Sequence, residues 1–224
     1  MKKTICFTTV FLALITATGS ARAISGDELL KKLDDAEYAA KDTVAEVKMV
    51  LEDSEGRTSE RSLKMYQKGH DKRLIKFESP ADVKGIAFLD DEGKMYVYMP
   101  AFHKIRRIAG HVKNENFAGT DFAHDDLSSE SFSGRLDVSS VKEEGDHFFM
   151  EAKEKDEDTR YSKLVFSIRK KDFMFDRVEY YDKSGKKAKL FERKDFRDAG
   201  KYVQSYWAQM TDLKKNHKTT MVVE

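Results

Sequence analysis

Asp121, His124, Asp125 and Asp126 place an imidazole among three carboxylates in a span of six residues. Oxygen donors with one nitrogen suit a divalent cation. No second ligand cluster stands near them in sequence, so the preferred reading is a surface loop whose Asp125 or Asp126 caps a short helix. Other reactive types are scattered. The six histidines never form HExxH, and no GxSxG, GxGxxG or P-loop pattern occurs. Cys6 is the one cysteine and falls in the apolar start of the chain, so thiol chemistry has no place in the remainder. Carboxylates pair only in charged runs such as Glu151 to Asp158, which read as turns between strands. Taken together, these patterns argue against an enzyme, a metal site and a bound cofactor.

Arg106 and Arg107 follow a strand between Pro100 and Gly110, in a stretch short of acids. A planar guanidinium fork there suits a lipid headgroup or acidic groups on a docking partner. Two other readings stand beside it: an exposed edge of the sheet, or ion pairs from Lys104, Arg106 and Arg107 to Asp121 and Asp126 that tie the long loop down.

The elements that must hold these residues can be read in chain order. Lys2 and Lys3, the apolar run Ile5 to Ile15 and the A-x-A site Ala21-Arg22-Ala23 mark Met1 to Ala23 as a cleaved signal peptide. The mature domain is expected to be 24–224. Without Lys2, Lys3 and Arg22 the 41 basic residues fall to 38, against 40 acids. Such balance gives no argument for nucleic acid. No later segment is long and apolar enough to span a bilayer. With no cysteine left after cleavage, an exported chain has to rely on its core.

Ser25-Gly26-Asp27-Glu28 fits a capping box. Leu29, Leu30, Leu33 and Ala36 then recur at helical spacing and predict an amphipathic helix. From Thr43 the period becomes two, with Ala45, Val47, Met49 and Leu51 on one face. Short runs of the same kind continue to the carboxyl end, almost all joined by hairpin-length turns. Asp90-Asp91-Glu92-Gly93 is one such turn, and Pro80 and Pro100 belong at strand ends, edges or bends. The count is about ten or eleven strands, with a second short helix near Asp126 to Ser131. The fold class is α+β, mainly antiparallel β. So many strands must curl as twist accumulates, and the amino-terminal helix is a natural cover for the concave face. Strand count alone leaves a closed barrel or a sandwich open.

The block Pro80 to Leu127 carries a resemblance. Pro80, Gly85, Leu89, Tyr96, Tyr98, Pro100, Arg106, Arg107, Phe117, Gly119, Asp121, Phe122, Asp126 and Leu127 fall in the order seen in LolA-like outer-membrane lipoprotein-sorting proteins. A weaker echo follows at Tyr180, Tyr181, Asp182, Gly185, Lys189, Gly200, Met210 and Thr219. Tyr96 stands where tryptophan is common and Thr120 where serine is common. The resemblance implies an incomplete barrel with a helical lid and a periplasmic carrier of lipoprotein or lipid acyl chains, with no cofactor. It also implies partners: an inner-membrane exporter of the RND type and an outer-membrane acceptor. In that light the inward candidates become cavity lining: Leu30, Leu33, Val47, Met49, Leu51, Met65, Ile75, Phe77, Phe88, Tyr96, Tyr98, Leu164, Phe166 and Ile168. Phe117, Gly119, Asp121, Phe122 and Asp126 become the lid loop, and Arg106 and Arg107 the headgroup or partner contact. The alternatives are a lipid shuttle or accessory subunit of an inner-membrane RND-type exporter, or a docking module whose cavity is filled by its own side chains.

Overall fold

The computed structural model describes residues 23–224, so the expected signal peptide lies, apart from Ala23, outside the described residues. Ser25 Oγ accepts from the Glu28 backbone N–H at 3.2 Å and opens helix α1, Gly26–Glu37. Its inward stripe is Leu29, Leu30 and Leu33, all buried.

Six strands follow: β1 (Asp42–Glu52), β2 (Thr58–Lys68), β3 (Lys72–Ser79), β4 (Ala87–Asp91), β5 (Lys94–Met99) and β6 (Lys104–Arg107). Pro80 ends β3 and Pro100 ends β5, where a missing backbone donor does no harm. The β4–β5 turn is two residues, Glu92 and Gly93, both with positive φ (53° and 76°), the geometry that matches strand twist. A long connection then leads to the one-turn helix α2 (Phe132–Arg135). Seven more strands complete the chain: β7 (Leu136–Glu144), β8 (His147–Glu154), β9 (Tyr161–Arg169), β10 (Phe175–Asp182), β11 (Lys187–Ala199), β12 (Tyr202–Asp212) and β13 (His217–Val223).

All thirteen join one antiparallel sheet in the order β6-β5-β4-β3-β2-β1-β13-β12-β11-β10-β9-β8-β7. The sheet is open, with β6 and β7 as its edges, which excludes the closed barrel and the sandwich. The count exceeds the expected ten or eleven, and β7 is the strand with no counterpart in the sequence reading. A bulge between Val138 and Ser140 breaks its period of two, so Leu136 and Val138 face inward before it and Val141 after it. The second helix also lies later than expected; Asp125–Leu127 is a single 3-10 turn, and Ser131 caps α2.

Two cores sit on the concave face. The larger joins Leu29, Leu30 and Leu33 of α1 to the inward side chains of β7–β10, among them Met150, Phe166, Ile168 and Val178. The smaller joins Val47, Met49, Leu63, Ile75 and Phe77 to Phe117 from the long connection.

Candidate binding cavity

Between the two cores the concave face is not filled. A cavity of about 260 Å³ opens there under the end of α1. Its apolar wall comes from distant parts of the sheet: Val47 and Met65 from β1 and β2, Leu164 and Phe166 from β9, Val178 from β10, Met221 from β13. β2 and β9 are six strands apart, which in a flat sheet would be roughly 29 Å. Lining one cavity therefore requires the sheet to bend around it. Phe132 of α2 stands at the wall with its ring edge-on to Phe166 and Phe175, at 5.8 and 5.7 Å. Asp34 of α1 holds that turn by accepting from the Phe132 and Ser133 backbone N–H groups at 2.7 and 3.0 Å.

The rest of the wall is charged, which the sequence reading missed. Glu37 pairs with Arg193 at 2.7 Å, and the Arg193 guanidinium lies over Phe175 at 4.3 Å. Arg73 lines the same space and has no ion pair among the described residues. Its donors go to the Leu127 and Ser128 carbonyls, both at 3.0 Å, and to Gln67 Oε1 at 2.7 and 3.1 Å; burial holds its pKa below the ordinary guanidinium range. Glu154 also faces the cavity. Burial, with Asp125 and Asp126 close by, raises its carboxyl to about 7, and the Thr159 hydroxyl donates to it. Arg73 is preceded by Lys72, and Arg193 is followed by Lys194; nothing in such mixed-charge runs separates a cavity-facing cation from a solvated one.

The connection expected as a surface loop is instead a second plug. Phe117 is 1% exposed, stacked on Phe77 at 5.7 Å and edge-on to Phe88 at 4.4 Å. Ala118 and Gly119 turn behind it with positive φ, and Arg61 donates to the Ala118 carbonyl at 2.5 Å. Asp121 is buried: its carboxylate accepts from Thr219 Oγ1 at 2.8 Å, and Lys189 Nζ donates to its carbonyl at 2.5 Å. Phe122 packs edge-on to Phe191 at 5.6 Å and reaches the cavity. Asp126 accepts from the Ala123 N–H at 2.7 Å, with Lys189 Nζ 3.8 Å away. Burial raises the pKa of Asp121 and Asp126 and lowers that of Lys189. The metal reading of this segment fails on direction. Asp121 turns to Thr219, Asp125 to Arg135, Asp126 to Ala123, and His124 packs between Phe88 and Phe117, where burial lowers its pKa.

Of the fourteen lining candidates, Val47, Met65, Leu164 and Phe166 reach the main cavity. Leu30, Leu33 and Ile168 belong to the core under α1; Met49, Ile75 and Phe77, with Leu51 and Phe88 against them, belong to the core under Phe117. Tyr96 and Tyr98 are a correction. Ile75 pairs with Phe88 and Phe88 with Val97, so Val97 and the buried Met95 face inward and the two tyrosines face out. Both alternate sets are apolar, and only the pairing decides. Arg106 and Arg107 are exposed on edge strand β6, one on each face, and make no ion pair among the described residues. The expected ties to Asp121 and Asp126 are absent because Thr219, Lys189 and Ala123 already occupy those carboxylates.

Comparison with known proteins places this arrangement. A family model described as "Uncharacterized protein" matches residues 69–224. The chain belongs to that family. No curated protein matches it. Among solved structures, an outer membrane lipoprotein-sorting protein domain from Vibrio parahaemolyticus is 24% identical, with 87% of this chain and 89% of that one covered at a TM-score of 0.78. A DUF1329 family protein from Desulfovibrio piger is also 24% identical, with 89% and 90% covered and a TM-score of 0.80. A LolA superfamily protein from Nitrosomonas europaea is 17% identical, with 90% and 92% covered and a TM-score of 0.75. The chain thus has the LolA-like fold that the Pro80 to Leu127 block implied. Among the described residues no helix is long and apolar enough to cross a membrane.

Proposed function

We propose that this family member is an exported carrier that shelters acyl chains of a lipoprotein or lipid in the cavity between its two cores, in transit through the periplasm to an outer-membrane acceptor. In this reading Met1 to Ala23 directs export and 24–224 is the working domain. Val47, Met65, Leu164 and Phe166 contact the chain, and the protein performs no catalysis. An inner-membrane exporter is the natural donor.

The observation that carries the proposal is an unfilled space with apolar walls from both halves of the sheet, bordered by charged side chains, in a LolA-like fold. At about 260 Å³ it falls just below the roughly 300–1,000 Å³ of typical ligand sites. A whole acyl chain therefore needs one cover to move. Lifting α1 exposes Leu29, Leu30 and Leu33, a cost of roughly 5–9 kcal/mol at about 1.5–3 kcal/mol per leucine. Burying a sixteen-carbon chain returns on the order of 12 kcal/mol gross. The exchange is favourable but close, as a carrier that must also release requires.

The test is mass spectrometry of organic extracts from protein purified out of its native periplasm, together with titration of a fluorescent fatty acid. Co-purified lipoprotein or lipid is expected, as is at least a tenfold loss of probe affinity in Met65→Trp with little change in Tm. An empty protein that ignores the probe would overturn the proposal.

A further inference from the structure

The outer face of the β1–β6 half carries a row of side chains that neither core uses. Strand pairing puts Val44 beside Tyr66, Tyr66 beside Leu74, Leu74 beside Leu89 and Leu89 beside Tyr96. Directly paired residues point to the same face, so these five form one apolar ladder across five strands, roughly 19 Å long. Val44 is 67% exposed, Tyr66 39% and Leu89 36%. The matching row of the other half is broken: Ser140, Glu151, Val165, Glu179 and Leu190 follow one another in register with no two apolar residues adjoining, and the apolar pair Trp207 and Val222 of that half is flanked by Lys194 and Lys48. Exposed apolar rows with a polar border mark interaction sites.

The border is charged, wholly on one side and in part on the other. One flanking row, Asp42, Lys68, Lys72, Asp91 and Lys94, is charged throughout; the other is charged at Glu46, Lys64 and Lys76 and then continues as Ala87, Tyr98 and Ile105, which widens the apolar strip towards β6. Ion pairs neutralise Lys72 with Asp91 at 2.7 Å, Lys64 with Glu46 at 2.8 Å and Lys76 with Glu78 at 3.4 Å. Lys68, Lys94 and, at the end of the ladder, Arg107 remain against Asp42. The stretch from Gly93 to Asn114 holds no acid at all, in a chain with almost equal numbers of acids and bases. A second copy would set cation against cation. A bilayer would need apolar tips sunk about 5–10 Å into the headgroup–acyl boundary, whereas Leu74 and Tyr96 in the middle and at the end of the ladder are half-buried in the sheet. The ladder also lies one residue from Thr43, Gln67 and Arg73, which line the cavity on the opposite face.

From these observations we infer that the outer face of β1–β5 is a docking surface for a different protein, one that presents an apolar ridge bordered by carboxylates and is held beside the cavity rim. The inference does not depend on what the cavity holds.

Photo-crosslinking in the native host tests it, with p-benzoylphenylalanine at Tyr66 or Leu89 and at Glu151 or Glu179 as controls. One and the same acidic protein should be captured from the first two positions and not from the controls. That protein, purified, should bind the mature chain with at least tenfold lower affinity after Tyr66→Asp or Leu89→Asp, and more weakly as salt rises, while fatty-acid probe affinity stays unchanged. Capture at equal yield from the controls, or no capture, overturns the inference. So does sedimentation showing dimers that Leu89→Asp abolishes. Flotation with vesicles of neutral and anionic phospholipid, lost in Leu89→Asp, overturns it in favour of a membrane surface.

Discussion

The two halves of the sheet solve the same problem differently. Under α1 the β7–β10 half is closed by leucines, contacts without direction that an acyl chain can replace like for like. The β1–β3 half is closed by one aromatic residue, Phe117 of the long connection, and a polar clasp ties that connection to β11 and β13: Thr219 donates to Asp121, Lys189 to the Asp121 carbonyl, and Lys189 stands 3.8 Å from Asp126. Displacing that clasp would leave several buried polar and charged groups without partners, at several kcal/mol for each charge; displacing the helix separates one buried pair, Glu37 from Arg193 at 2.7 Å, and leaves Arg193 over the Phe175 ring. Under the proposed carrier function, α1 is the cover expected to move and the clasp the one expected to stay.

The sharpest way to break this contrast is Lys189→Met, which removes the nearest cation from buried Asp126. A loss of about 3–5 kcal/mol is expected in chemical denaturation, largely recovered by adding Asp126→Asn. Leu33→Ala should cost about 2–5 kcal/mol and yet raise fatty-acid affinity, because the helix then holds the closed form less firmly. If Lys189→Met raised affinity and Leu33→Ala did not, the roles of the two covers would be reversed.

Glu154 sharpens the comparison through pH. Its carboxyl sits near 7 in the fold against an ordinary 4.5, so the folded chain binds the extra proton between those values. Stability falls as pH rises through that window and is flat above it. Glu154→Gln should therefore stabilise the protein at pH 8 by about 1–3 kcal/mol and have little effect near pH 4.5, which thermal melts at the two pH values would read. The smallest effect belongs to the edge: Arg106→Ala and Arg107→Ala, with no ion pair to lose, should each shift stability by less than about 0.5 kcal/mol. A larger loss in the same melts would restore the loop-tethering reading.

Much of this was legible in the residues. The capping box at Ser25, the leucine stripe, the prolines at strand ends and the Glu92-Gly93 turn are local signals whose physics is complete within a few positions, and each element formed where it was read. For the Asp121 to Asp126 part of the long connection, composition misleads on burial. Aspartates and a histidine look solvated until Lys189 and Thr219, far along the chain, arrive to pair with them.

What the sequence determined by itself was alternation, and with it an antiparallel sheet too long to stay flat under one amphipathic helix. Which alternate set faces inward was left to strand pairing, as Met95 and Val97 against Tyr96 and Tyr98 make plain, since both sets are apolar. Tertiary structure also decided that thirteen strands remain open, that two covers leave a gap between them, and that Arg73, Glu154 and Arg193 look into it. Each of these depends on contacts between residues tens of positions apart, for which no local pattern supplies a signal.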